Sequence, residues 1–148
     1  MSNEDDARAE LRRAMQLHAE ERIDEALAAA RRAIALDPAC ADALSYLGST
    51  LVTRKRHFRG GLSALERARD LAPASPFIRY TLGWCYEYAA HEVKRRGTVP
   101  AGLPEVDELY ARAIAEFRAC LATGPDPDLR GDVEKLLELL GEDIDGQQ

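Results

Sequence analysis

Three histidines, three cysteines and one tryptophan are the residues of this 148-residue chain best equipped for chemistry. Acid–base or nucleophilic catalysis needs a nucleophile, a base and an orienting group within hydrogen-bond reach. His18, His57 and His91 fall in three separate stretches. No Ser-His-Asp order, Gly-rich phosphate loop or H-E-x-x-H run accompanies them. Cys40, Cys85 and Cys120 are far apart and odd in number, with no C-x-x-C, so they signal neither a zinc site nor a redox pair. They read as free thiols of a reducing cytoplasm. Glu87 and His91 share a helical face at i, i+4, which reads as a solvated pair rather than a ligand pair. The chain is read as non-enzymatic, with no cofactor and no metal.

Recognition is the remaining chemistry. Phe77, Tyr80, Trp84, Tyr88 and His91 follow one another at spacings of 3, 4, 4 and 3, a span of 14 residues. On a helix this is one stripe about four turns long. Trp84 lies two residues from both Leu82 and Tyr86, roughly 200° around the helix from them. The opposite side holds Ile78, Leu82, Gly83 and Tyr86. The same helix is therefore apolar on two sides.

The composition says what must position that stripe. Ala occurs 25 times against nine aromatic residues, which favours helix over sheet. The length fits one domain with a self-sufficient core. With 20 basic and 26 acidic side chains the formal charge is −6, which argues against nucleic acid and anionic membrane as partners. No apolar run approaches the ~18 residues of a membrane span, so no membrane insertion is expected. The acidic start, Met1 to Asp6, does not resemble a secretory or transit signal. Of the 20 basic residues 17 are Arg, a bias expected of a GC-rich, bacterial-type genome.

Internal repetition organises the rest. The stretch from Ile23-Asp24-Glu25-Ala26 to Asp37-Pro38 has an echo from Phe58-Arg59-Gly60-Gly61 to Ala72-Pro73, and Pro38 and Pro73 are 35 residues apart. A third copy runs from Tyr110-Ala111-Arg112-Ala113 to Gly124-Pro125. Upstream, Leu47-Gly48-Ser49-Thr50-Leu51 aligns with Leu82-Gly83-Trp84-Cys85-Tyr86. A small residue between two large ones on one face lets a neighbouring helix come close. Leu82-Gly83-x2-Tyr86, with Ala26-x3-Ala30-x2-Ala33 and Pro38, resembles the tetratricopeptide repeat, which reads W-x2-L-G-x2-Y…A-x3-F…P. Arg13 in the first repeat and an extra residue near Arg54-Lys55-Arg56 in the second depart from it.

The fold class expected is all-α, a right-handed solenoid of antiparallel helix pairs. Helices are expected at about 6–20, 24–36, 41–55, 58–71, 76–96 and 104–122, with a capping helix at 127–140. Ser75-Pro76 and Asp126-Pro127 are helix-start signals, a cap followed by Pro at the first helical position. The repeats would cover 7–40, 41–75 and 76–125 within one domain at 6–140, between disordered acidic segments at 1–5 and 141–148. The third repeat is longer than the others, and its 89–105 hairpin should project about two turns, at ~5.4 Å per turn.

The resemblance implies that the first helix of each repeat lines a concave groove for a protein or peptide partner. Its first repeat would contribute Arg8, Leu11, Arg12, Met15 and His18, its second Asp42, Ser45, Ser49 and Val52, and its third the aromatic stripe. Phe77, Tyr80, Trp84 and Tyr88 would be anchors, since rigid aromatics dominate binding hot spots. Arg8 and Arg12 would orient an acidic or C-terminal group. Co-chaperones of this family clamp a C-terminal carboxylate with Lys, Asn and Arg. The matching places here hold Leu11, Met15, Tyr46, Phe77 and Thr81, so that partner is disfavoured. Type III secretion chaperones are similar in size, acidity and repeat number. The competing reading buries the stripe under the chain's own helices or against a second copy, as a homodimer. A basic edge formed by Arg54, Lys55, Arg56 and Arg59 with Lys94, Arg95 and Arg96 is a second candidate, for phosphate or an acidic partner. Its plain explanation is that cations suit helix C-termini.

Overall fold

The computed structural model describes residues 2–141. Among them are seven α-helices and no strand: α1 (Asn3–Ala19), α2 (Ile23–Leu36), α3 (Ala41–Lys55), α4 (Phe58–Leu71), α5 (Pro76–Arg96), α6 (Val106–Ala122) and α7 (Pro127–Leu139). The all-α class and the order of helices expected from the sequence are those found. The hydroxyl of Ser75 accepts from the Ile78 N–H, and the carboxylate of Asp126 accepts from the Leu129 N–H, so both Pro-preceding caps form. α1 begins three residues earlier than expected because Ser2 caps it, its Oγ accepting from the Asp5 N–H. Glu4, Asp5 and Asp6 then fill its first turn, where the helix dipole favours acidic groups. The acidic tail expected at 141–148 lies, beyond Gly141, outside the described residues.

The chain forms two compact units, Met1–Ala72 and Pro73–Gln148. In the first, α1 packs on α2, α2 on α3 and α3 on α4. Its core is built largely from alanine. Ala14, Leu17, Ala26, Ala29 and Ala30 cluster with Tyr46 and Leu47, and Ala7, Ala33 and Ala43 cluster with Leu11, Ile34 and Leu36. Side chains this small let helix axes approach, and glycine takes the approach furthest. A Cβ added at Gly48 would stand 2.6 Å from the Gly61 carbonyl oxygen and 2.7 Å from Leu65 Cγ. One added at Gly61 would stand 2.7 Å from the Gly48 oxygen. α3 and α4 therefore touch backbone to backbone.

In the second unit α5 packs on α6, and α6 on α7. Here a Cβ at Gly83 would meet the Phe117 ring at 2.7 Å and the Ala113 oxygen at 3.2 Å. Ile78, Leu82, Cys85, Tyr86, Ala89, Ala90 and Val93 of α5 are buried, as are Leu109, Ala113, Phe117 and Cys120 of α6 and Val133 and Leu137 of α7. An ion pair enters this interior: Arg79 Nη1 lies 3.0 Å from Glu116 Oε1, while Arg79 Nε donates to the Pro73 oxygen at 3.0 Å. α5 has 21 residues against 15 in α3, a surplus of six worth about 9 Å at ~1.5 Å per residue. Gly97, at φ 79°, ends it in the left-handed region.

Two outcomes follow from these contacts. Gly48→Ala should lower stability by ~1–2 kcal/mol, overriding the ~1 kcal/mol that alanine ordinarily gains over glycine in a helix. Gly131→Ala in α7, where nothing lies within 4 Å of the added carbon, should raise it by ~0.5–1 kcal/mol. Urea titration followed by helical circular dichroism reads both. Arg79→Met should cost roughly 1–3 kcal/mol by removing the guanidinium 3.0 Å from the buried Glu116 carboxylate, and adding Glu116→Leu should restore part of the loss. A double variant as unstable as the single one would contradict this.

Candidate interaction site

α5 divides its side chains by angle. At ~100° per residue Phe77, Tyr80, Trp84, Tyr88 and His91 fall within an arc of about 80°. The Ile78, Leu82 and Tyr86 side is the one sealed against α6. The stripe is left open: Phe77 is 62 % exposed and Trp84 38 %, with Tyr80 and Tyr88 half-buried. The rings hold one another. Trp84 and Tyr88 stack at 5.6 Å with planes 15° apart, and Phe77 meets Tyr80 at 6.4 Å. Tyr80 also leans on the buried ring of Phe117 at 6.5 Å, which anchors the row to the core. Burial pushes the Tyr80 phenol above its ordinary pKa, so it stays neutral and able to donate.

α7 supplies the facing wall. Tyr80 and Trp84 with Asp132, Lys135, Leu136 and Leu139 line an opening of about 300 Å³. Next to it, Glu87, His91, Tyr110, Ile114, Leu139 and Leu140 line a second, of about 590 Å³. Leu139 borders both and is itself 76 % exposed. The two openings form an apolar trough with charged groups at intervals.

The larger opening carries the polar chemistry. Glu87 Oε2 lies 3.6 Å from His91 Nε2, and His91 Nδ1 lies 3.2 Å from the Tyr110 hydroxyl. The two rings meet edge to face at 5.6 Å. We assign the imidazole as the Nε2–H tautomer, because the carboxylate faces Nε2 and leaves Nδ1 to accept from the phenol. Glu87 is not the solvated partner that its spacing suggests. Its side chain is only 17 % exposed, and Oε1 is buried with no hydrogen-bond partner. Burial holds the Glu87 carboxyl above the usual carboxylate range, with His91 opposing. Burial and the Glu87 charge together push the Tyr110 phenol up.

The remaining expected positions lie in the first unit or at helix ends. Arg8, Arg12 and Met15 are exposed on α1, Met15 at 54 %, while Leu11 packs at the core edge. His18 Nδ1 bonds the Tyr46 hydroxyl at 2.8 Å. On α3 Ser45 and Val52 are buried in the helix packing rather than offered to a groove, and Ser49 Oγ donates to the Tyr46 carbonyl. Of the basic groups, Arg54 pairs with Glu21, Lys55 with Asp24 and Arg95 with Glu92. Arg56 caps α3 in the left-handed region at φ 56°. Arg59, Lys94 and Arg96 are exposed. The sequence reading missed the α6 and α7 contributions, Tyr110, Ile114, Leu136 and above all Leu139. The only signal in the chain was a leucine 120° off the buried stripe of a terminal helix.

No group of three or more His, Cys, Asp or Glu side chains that could hold a metal occurs among the described residues. No described helix is long and apolar enough to cross a membrane. Burial pushes the Cys85 thiol up to about 12, and Cys120 is raised as well, so neither offers a nucleophile. Comparison with protein-family models finds no match, and no curated protein matches the sequence. The fold does have solved counterparts. The N-terminal domain of stress-induced protein-1 (STI-1) from C. elegans superposes with a TM-score of 0.59 at 17 % identity, covering 92 % of this chain and 98 % of that one. The chain thus has the fold of a tetratricopeptide-like helical repeat domain.

Proposed function

We propose that this protein is a non-enzymatic protein–protein interaction module that captures a segment of a partner in the α5–α7 trough. The observation that carries the reading is the stripe of Phe77, Tyr80, Trp84 and Tyr88, which packing within its own helix pair does not require and which stands open beside exposed Leu139. Exposed apolar patches of this kind mark interfaces. Covering about half of the four rings would remove roughly 300–500 Å² from water, a gross gain of about 8–12 kcal/mol. Association costs on the order of 4–15 kcal/mol, so the trough suits micromolar capture. On the first unit, Met15 with Arg8 and Arg12 is the further contact surface we assign to the partner. The basic edge ranks behind both, since Arg54, Lys55 and Arg95 already have acidic partners.

Trp84 is the only tryptophan, so its fluorescence reports on the trough without labelling. Acrylamide should quench it in the monomer. An apolar helical peptide selected on the protein should shift the emission to the blue and protect it. Trp84→Ala should weaken capture of that peptide at least tenfold while leaving the helical circular dichroism unchanged. Emission that instead shifts with protein concentration, with light scattering doubling in step, would assign the trough to a second copy. Emission indifferent to both would refute the interface.

A further inference from the structure

We propose that the chain's own residues 142–148 occupy the His91 end of the trough when no partner is bound, with Ile144 in the opening beside Leu139 and Leu140 and Asp143 and Asp145 on the basic last turn of α5. This rests on the reading of the trough as a partner site and adds its regulation: a partner must displace the segment.

Tyr80 and Trp84 share one opening with Asp132, Lys135 and Leu136, while Glu87 and His91 share the next with Leu139 and Leu140. Residue numbers therefore rise the same way along α5 and α7, and α7 ends at the His91 end of the trough. Gly141, at φ 82°, breaks the helix there. Seven residues of sequence follow it: Glu142, Asp143, Ile144, Asp145, Gly146, Gln147 and Gln148. At ~3.3 Å per residue, Asp145 reaches up to about 13 Å from Gly141. On α5 the residues three to five beyond His91 are Lys94, Arg95 and Arg96, a rise of only about 5–8 Å at ~1.5 Å per residue. The segment is long enough to meet them.

Charge selects the side on which it lies. Glu134 and Glu138 on α7 repel its three carboxylates, whereas the last turn of α5 is basic. Arg95 is paired with Glu92, and Lys94 and Arg96 are exposed. Glu87 opposes the segment least of the acids in the trough, since its side chain is largely buried and one oxygen faces His91. Side chains alternate along an extended chain, so Ile144 faces the opening while Asp143 and Asp145 face its basic rim. Ile114, Leu139, Leu140 and the Tyr110 and His91 rings give Ile144 an apolar bed. A weak contact is enough, because so short a connection sets an effective concentration in the millimolar range. One apolar anchor covers this end alone, and exposed Phe77 and Trp84 stay open to a partner's first contact.

Nuclear Overhauser contacts in the isotope-labelled full chain read the docking directly. At low salt they should join the Ile144 methyls to the Tyr110 and His91 rings, and mixing labelled with unlabelled chain should show them to lie within one molecule. Lys94→Glu with Arg96→Glu should abolish them, and adding Asp143→Lys with Asp145→Lys should restore them. The competitor is a peptide from a phage-displayed library of randomised twelve-residue sequences, selected on the Ile144→Ser chain and measured by Trp84 fluorescence. The wild type should bind it about fivefold more weakly than Ile144→Ser, and the gap should narrow at high salt. Absence of the Ile144 contacts, with equal affinities for a peptide lost to Trp84→Ala, would overturn the occupant and leave the trough standing. Contacts found only between molecules would assign the segment to a second copy and overturn the proposal. Contacts within the chain without a difference in affinity would overturn the displacement. Failure to select any peptide dependent on Trp84 would overturn the trough as a partner site, whatever Ile144 touches.

Discussion

Backbone contact between paired helices is the constraint on which this structure depends. At Gly48 and Gly61 the two main chains come so close that a single methyl group on either side would collide with a carbonyl oxygen. At Gly83 the close neighbour is a side chain, the Phe117 ring at 2.7 Å, with the Ala113 oxygen at 3.2 Å. Dispersion and hydrophobic burial are gained along a seam of glycine and alanine, where little side-chain entropy is lost on folding. The Ala-rich composition follows from that seam. So does the conspicuousness of large rings wherever they stand away from it.

α5 seals one side against α6, while its other side leaves Phe77 and Trp84 exposed. Phe117 links the two, lying beneath Gly83 on the seam and against Tyr80 on the stripe. The open rings are thus held from below, which restricts their rotamers before anything binds. Preorganisation of this kind lowers the ordering cost of association. The stripe runs along α5 to the polar trio of Glu87, His91 and Tyr110, which lines one opening with Leu139 and Leu140 at the end of α7.

Much of this was legible in the sequence because it is local. Ser75-Pro76 and Asp126-Pro127 mark helix starts to the residue. Gly48 and Gly83 mark close approach through spacing alone, and the aromatic stripe follows from the angular period. The facing wall was not legible. Leu139 is set by how α7 rolls against α6, its main contact, and a thinly packed terminal helix has several acceptable rolls. Glu87 was misread as solvated for a related reason. Its i, i+4 spacing to His91 is visible in one helix, but its burial arises from tertiary packing around α5. Ser2 went unnoticed as a cap because an acidic, polar start resembles a frayed one until the Asp5 N–H is seen to use it.

The distribution of sulfur has a consequence of its own. Cys85 and Cys120 are enclosed in the second unit, Cys120 with its Sγ against the Pro76 carbonyl, whereas Cys40 at the start of α3 is half-exposed. An electrophile or a peroxide meeting the folded chain therefore has one accessible thiol, on the unit that lacks the aromatic row. Among the thiols, modification would register first at Cys40, and the two in the second unit would stay enclosed.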